Sequence, residues 1–222
     1  MEKEIVLIAL DGPSASGKST IAKLLSKKLG IMYLSTGLIY RAFGYECKKR
    51  NLDPSNPLDA EKVIDCKVEI RYENGIQNVY LNGENITSEV GNEVIGSYAS
   101  KISQHGIIRE KCVEIQREIA SKQSMIVDGR DIGSVVLPQA KYKFYLDADV
   151  KERAKRRFLE LSKTNKDLTY EEVEKDLIQR DYQDTHRKLS PLKLCDDAIK
   201  IDSSKLTIEQ VVDKFIEIIE KN

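Results

Sequence analysis

The sequence has no surplus of charge: 36 Lys and Arg stand against 36 Asp and Glu over 222 residues, a formal net charge of zero. A nucleic-acid binder normally carries a clear basic excess, so that class is set aside, although local basic clusters remain open. Long apolar runs are missing too. Ile5–Leu10, after the charged start Met1-Glu2-Lys3-Glu4, is too short for a signal peptide or a membrane span. A cytoplasmic protein without membrane contact is the expectation. Cys47, Cys66, Cys112 and Cys195 show no C-x-x-C spacing; they read as free thiols of a reducing compartment and argue against zinc. His105 and His186 lie beside no Ser or Cys nucleophile pattern, so neither reads as catalytic. Internal repeats and low-complexity segments are absent. The guanine-reading pattern N-K-x-D is missing as well, because Asn165-Lys166-Asp167-Leu168 brings its Asp one position early. That excludes a GTP-driven switch.

What is present starts at Gly12-Pro13-Ser14-Ala15-Ser16-Gly17-Lys18-Ser19-Thr20, which fits the phosphate-binding loop G-x-x-x-x-G-K-[ST]. The flanks fit as well. Ile5–Leu10 reads as a strand buried on both faces, and Ile21, Leu24, Leu25 and Leu29 recur at helical spacing up to Gly30, a helix stop. Gly12 and Gly17 allow backbone N–H groups to turn inward around a phosphate, and the helix beginning near Lys18 adds its positive end. Lys18 reaches the outer phosphates, and the Ser19 hydroxyl is suited to ligate Mg²⁺. The motif in this context implies a bound nucleoside triphosphate.

Further along, Ile31–Leu34 reads as a second strand ending in Ser35-Thr36-Gly37, with Thr36 as a cap of a helix through Tyr40 and Arg41. Strand ends of open α/β sheets face the ligand crevice, which makes Arg41 a candidate phosphate clamp. Residues 51–57, with two prolines, mark a boundary. Val68–Tyr72 and Ile76–Leu81, punctuated by Asn74-Gly75 and Asn82-Gly83, form an antiparallel unit. A helix with the stripe Ile108, Cys112, Ile115 and Ile119 follows, then strands at Met125–Val127, Tyr142–Leu146 and Ala198–Ile201. Thr169 with Glu172, and Thr207 with Gln210, read as capping boxes. The final helix turns Val211, Phe215, Ile218 and Ile219 inward.

Five strands separated by helices predict an α/β fold of three layers around a five-stranded parallel sheet, with an antiparallel, hairpin-rich insert. The expected division is a phosphate-loop core at 1–57, 101–150 and 188–222, an insert at 58–100 and a charged helical segment at 151–187.

Taken together, the loop, Ser35-Thr36-Gly37-x-x-Tyr40-Arg41, the insert, Asp128-Gly129-Arg130-Asp131-x-Gly133, Glu152-Arg153-Ala154-Lys155-Arg156-Arg157 and Arg180-Asp181-x-x-Asp184-x-x-Arg187 resemble the bacterial cytidylate kinases over essentially the whole chain. The resemblance implies phosphorylation of CMP and dCMP by ATP with Mg²⁺, in a monomer. By position it implies cytosine contacts at Ser100, Arg109 and Asp131, acceptor contacts at Thr36, acceptor-phosphate contacts at Arg41, Arg130 and Arg187, and sugar contacts at Arg180 and Asp184. Lys18, Arg130, Arg153 and Arg157 become the catalytic set, the last two on the segment 151–187, for which the resemblance implies a mobile helical lid. One departure is visible: family members commonly carry Asp where this chain has Ser35.

The chemistry is coherent on its own terms. Bringing two polyanions together calls for convergent arginines. A phosphate acceptor with its second pKa at about 6 is already ionised at pH 7, so no general base is required. Asp131 suits cytosine, whose amino group donates, over uracil, whose carbonyl would be repelled, as carboxylates read cytosine elsewhere. The competing role for Asp131 is a helix cap or a metal-orienting carboxylate. The competing functions are another small-molecule kinase on the same core and an ATP-binding module without transfer chemistry.

Overall fold

The computed structural model describes residues 5–73, 75–163 and 165–221. In chain order these form β1 (Leu7–Asp11), α1 (Lys18–Leu29), β2 (Met32–Ser35), α2 (Gly37–Lys49), α3 (Pro57–Glu61), β3 (Val68–Glu73), β4 (Ile76–Leu81), β5 (Glu84–Asn85), α4 (Glu93–Ile102), α5 (Gly106–Ala120), β6 (Met125–Asp128), a π-helical turn (Ile132–Val136), β7 (Tyr142–Asp147), α6 (Val150–Leu161), α7 (Tyr170–His186), β8 (Ile199–Asp202) and α8 (Ile208–Glu220). The parallel five-stranded sheet runs β2-β6-β1-β7-β8, and a separate antiparallel sheet runs β3-β4-β5. Both expected sheets are therefore present. No described helix is long and apolar enough to cross a membrane.

Contacts divide the chain into two units, one of residues 32–125 and one of residues 6–31 with 126–222. In the second, β7 pairs in parallel with β1, Ile8 opposite Tyr142, and with β8, Phe144 opposite Ile199. Ile8, Leu10, Ile21, Leu25, Phe144, Leu146, Val211 and Phe215 are buried, and the Phe144 and Phe215 rings lie 4.5 Å apart. Each such side chain contributes about 1.5–3 kcal/mol. Thr169 and Thr207 each close a capping box with Glu172 and Gln210 as expected. A smaller cluster of Ala154, Val173 and Leu177 joins α6 to α7, and Ala15 and Phe158 pack against it.

The unit of residues 32–125 has its own core, built around Ile39, Phe43, Cys47, Val63, Val79, Ile86, Ile95, Ile102, Ile108 and Cys112. The β4–β5 hairpin turns through Asn82 and Gly83 at φ 50° and 87°, the left-handed pair a two-residue turn requires. Asn74, the other expected turn asparagine, lies outside the described residues. Pro57 opens α3 behind Asn56, whose side chain accepts from the Leu58 N–H. Pro57 thus sits at the start of α3, while α2 ends at Lys49, ahead of Asn51 at a left-handed φ of 54°.

Several boundaries differ from the sequence reading. The first strand is Leu7–Asp11, not Ile5–Leu10: Ile5 is exposed, while Asp11 extends the ladder opposite Tyr145. On α1, Ala22 is buried and Leu24 is not, because the inward stripe is Lys18, Ile21, Ala22 and Leu25, the i, i+3, i+4, i+7 spacing of one helix face, and Leu24 lies off it. β2 and β8 each start and end one residue later than read. Thr36 holds the N-cap position of α2 with helical φ and makes no side-chain cap bond; a cap needs extended backbone to fold its hydroxyl over the first turn. On α8, Val212 takes a fully buried place, and Ile218 and Ile219 are half-buried.

α2 meets α4 closely at Gly44. A Cβ there would lie 2.8 Å from the Ala99 amide nitrogen and 3.1 Å from Tyr98 Cβ. Alanine gains about 1 kcal/mol over glycine in a helix, but overpacking against backbone costs about 1–3 kcal/mol. Gly44→Ala should therefore lower the unfolding free energy in urea, and a stabilised variant would show that the two helices can part.

Candidate active site

The loop between β1 and α1 is set by close approach. Gly12 has φ 150°, and a Cβ on it would meet the Leu146 carbonyl oxygen at 2.1 Å, so no other residue fits. Ala15 holds a left-handed φ of 57°, a strain of about 1–2 kcal/mol for a residue with a Cβ, as functional loops often carry. Gly17 is the N-cap of α1, which has no side-chain cap and no acidic residue in its first turn. Its N–H groups and dipole are left for an anion. Lys18 is buried and folded back, donating to the Pro13 carbonyl at 2.6 Å and to Ser16 Oγ at 3.3 Å. Burial, and next the charge of Arg130, pull its ammonium well below the usual lysine range. Ser19 donates its hydroxyl to Asp128 Oδ2 at 2.8 Å. Thr20 is exposed.

Beside the loop, the same unit gathers Arg130, Asp131, Arg153, Asp184 and Arg187 into one network. Arg130 donates from Nε to Asp184 Oδ2 and from Nη2 to Ser14 Oγ, both at 2.8 Å. Buried Arg153 donates to the carbonyls of Ala148 and Ser14 and pairs with Asp181. Asp181 in turn accepts the Ser14 N–H at 3.1 Å. Arg187, just past α7, donates to the Ser190 carbonyl, and lies 3.4 Å from Asp184 Oδ1 and 3.6 Å from Asp131 Oδ1. Burial works to raise the Asp184 carboxyl, but Arg130, Arg187 and Arg180 outweigh it and hold it below the usual range. Asp131 precedes the π-helical turn and makes no side-chain cap bond to it, which removes the helix-cap alternative. Arg157 is placed differently: it pairs with Glu160 one turn on, at 2.7 Å. Half-buried Arg180 acts on Asp184 through its charge.

The expected residues of the other unit are Thr36, Arg41, Ser100 and Arg109. Thr36 is buried where β2 passes into α2. Arg41 donates from Nη1 to the carbonyls of Val90 and Asn92, at 2.6 and 2.8 Å. Gly96 of α4 leaves room for it, since a Cβ there would lie 2.8 Å from Arg41 Nη2. Arg109 is buried, lies 5.6 Å over the Tyr40 ring and donates to the Ser103 carbonyl. Ser100, on α4, is half-buried.

Three carboxylates were given no role by the sequence: Asp11, Asp128 and Asp181. Asp128 and Asp11 end strands next to glycine, a signal that existed. Asp181 has none, as one acid among many on α7. Asp11 accepts the N–H groups of Ile132 and Gly133, each at 2.8 Å, and so ties the start of the π-helical turn to β1. The Ser19–Asp128 pair suits Mg²⁺, a hard cation that takes one or two protein oxygens and completes its shell with phosphates and water. Among the described residues no three acidic, His or Cys side chains form a cluster able to hold a metal alone.

Burial raises the Asp11 carboxyl to about 6 against its two N–H bonds. Between pH 4 and 6 the folded protein keeps a proton that the unfolded chain has lost, so this stabilising contribution is full below pH 4 and gone above 6. Relative to Asp11→Asn, the parent should lose up to about 3 kcal/mol over that interval, at about 1.4 kcal/mol per unit. Urea titrations of both proteins at each pH measure the difference, and a flat difference would contradict it.

Comparisons agree with this architecture. A family model described as Cytidylate kinase matches residues 8–221. A cytidylate kinase of Lactobacillus johnsonii is 42% identical over 98% of this chain and 95% of its own. One of Caldicellulosiruptor saccharolyticus is 43% identical over 96% and 95%. The fold is also shared with a shikimate kinase from Bacteroides thetaiotaomicron, at 12% identity, a TM-score of 0.51 and coverage of 98% and 99%. With the family model spanning nearly the whole chain and its phosphate loop and Gly-Arg-Asp segment folded as described, the chain belongs to the cytidylate kinase family.

Proposed function

We propose that this chain transfers the terminal phosphoryl group of ATP to CMP and dCMP, giving ADP and the corresponding diphosphate. The observation that carries the reading is the junction at Ser14. There the phosphate loop is bonded to Arg130, and Arg130 shares Asp184 with Arg187, so loop and acceptor-type arginines form one network. In the transfer, an acceptor phosphate oxygen, already ionised near pH 7, attacks the γ-phosphorus in line and the bond to the ADP oxygen breaks. No proton has to be removed first. Lys18 and the arginines stabilise charge on the transferring group in a site that excludes water. Mg²⁺ would be held by Ser19 and Asp128 and would supply further charge neutralisation.

The remaining roles follow the family's pattern. Arg41, Arg130 and Arg187 serve the acceptor phosphate, Ser100, Arg109 and Asp131 the base, Arg180 and Asp184 the sugar, and Arg153 and Arg157 the lid over ATP. The division into a core, an insert at 58–100 and a lid at 151–187 belongs to the same reading, as do a monomeric state and a place in the cytoplasm.

ADP release measured with a panel of nucleoside monophosphates should be fast with CMP and dCMP, much slower with UMP and slow without an acceptor. Equal rates with AMP or GMP would overturn the reading. Lys18→Ala should cost at least about a hundredfold in rate, several kcal/mol of transition-state stabilisation at about 1.4 kcal/mol per tenfold, with the fold retained by circular dichroism.

Base choice is tested at Asp131. A charge-assisted hydrogen bond contributes about 1.5–3 kcal/mol, so Asp131→Ala should lower kcat/KM for CMP about ten- to a hundredfold and for UMP by less. If both substrates decline together at a constant ratio, Asp131 does not read the base.

A further inference from the structure

β2 is an outer strand of the main sheet. Met32 donates its N–H to the Ser124 carbonyl just before β6. Backbone polar groups alternate between the two edges of a strand, so Tyr33 and Ser35 present theirs to the open edge. Open edges need cover, and here two side chains supply it. The Tyr72 hydroxyl donates to the Tyr33 carbonyl at 3.1 Å, and Gln77 Oε1 accepts the Ser35 N–H at 3.1 Å. Tyr72 and Gln77 stand directly opposite each other in the β3–β4 ladder, so one cross-strand pair caps two successive groups of β2.

The cover is more specific than stability asks. Gln77 Nε2 is buried and has no hydrogen-bond partner among the described residues, which works against stability. An apolar side chain would shield the edge without that penalty but could not hold the Ser35 N–H. That amide belongs to the residue immediately before Thr36, and α2, which carries Arg41, begins at Gly37.

We propose that Tyr72 and Gln77 are positioning residues for the acceptor nucleotide: the pair fixes the end of β2 so that Thr36 and the start of α2 are set in place before the monophosphate arrives. The proposal rests on the reading of Thr36 and Arg41 as acceptor-site residues. The bond at Ser35 uses main chain alone, so replacement of the family's common Asp by Ser at this position leaves it intact.

The test uses the full chain with Tyr72→Phe, Gln77→Leu and the double variant, measuring KM for CMP, KM for ATP, kcat and melting temperature. Each single change should raise KM for CMP about three- to tenfold, the fold-change of one neutral hydrogen bond. KM for ATP and kcat should stay within about twofold. Because both bonds act on one strand end, the double variant should fall short of the product of the singles. An unchanged KM for CMP, or a joint shift of both KM values and kcat with a lower melting temperature, would overturn the proposal in favour of plain edge cover. A parent without CMP-dependent turnover would overturn this proposal and the functional reading together, a pattern separate from the other two.

Discussion

Buried positive charge is the constraint around which residues 6–31 and 126–222 are arranged. Lys18 and Arg153 are almost fully enclosed, and the Arg130 and Arg187 side chains are mostly so. A desolvated cation without a counter-charge is expensive, and three of these four have an answer. Arg130 has Asp184, Arg153 has Asp181 and Arg187 has Asp184 and Asp131. The exception is Lys18, which leans on neutral oxygens of its own loop. Burial, and next the charge of Arg130, depress its pKa. A lysine held this way gains more from an arriving polyanion than one already paired, which is the physical sense of leaving the loop's cation without a carboxylate of its own.

The same arrangement explains why the acidic residues are as telling as the basic ones. Asp184 is shared between two guanidinium groups, and its charge is what allows them to sit close together. Asp11 works on backbone instead, holding two consecutive amides of the π-helical turn. Such turns are a frequent mark of functional segments, and this one starts directly after the Arg130–Asp131 pair.

Much of this was legible in the sequence where local chemistry leaves one option. The loop glycines, the Asn-Gly hairpin and the two capping boxes each announce a backbone geometry, and the structure has them. The reading failed where tertiary context decides. Thr36 looks like a cap but has helical backbone. Leu24 fits the helical stripe, yet the smaller Ala22 is the buried one. The ends of β1, β2 and β8 moved because ladder partners, not hydrophobicity, set where a strand stops. Least visible were Asp181, Tyr72 and Gln77. Their partners lie 167, 39 and 42 residues away, and nothing in their neighbourhood distinguishes them from ordinary surface residues.

Ser14 gives its N–H to Asp181 and its carbonyl to Arg153, and these two side chains also bind each other. One residue of the phosphate loop is thereby stitched to both α6 and α7. Positions 153 and 181 are therefore coupled. A lone change at either leaves a charge without its partner and an unsatisfied loop amide or carbonyl behind, so the cost of replacing one depends on what stands at the other.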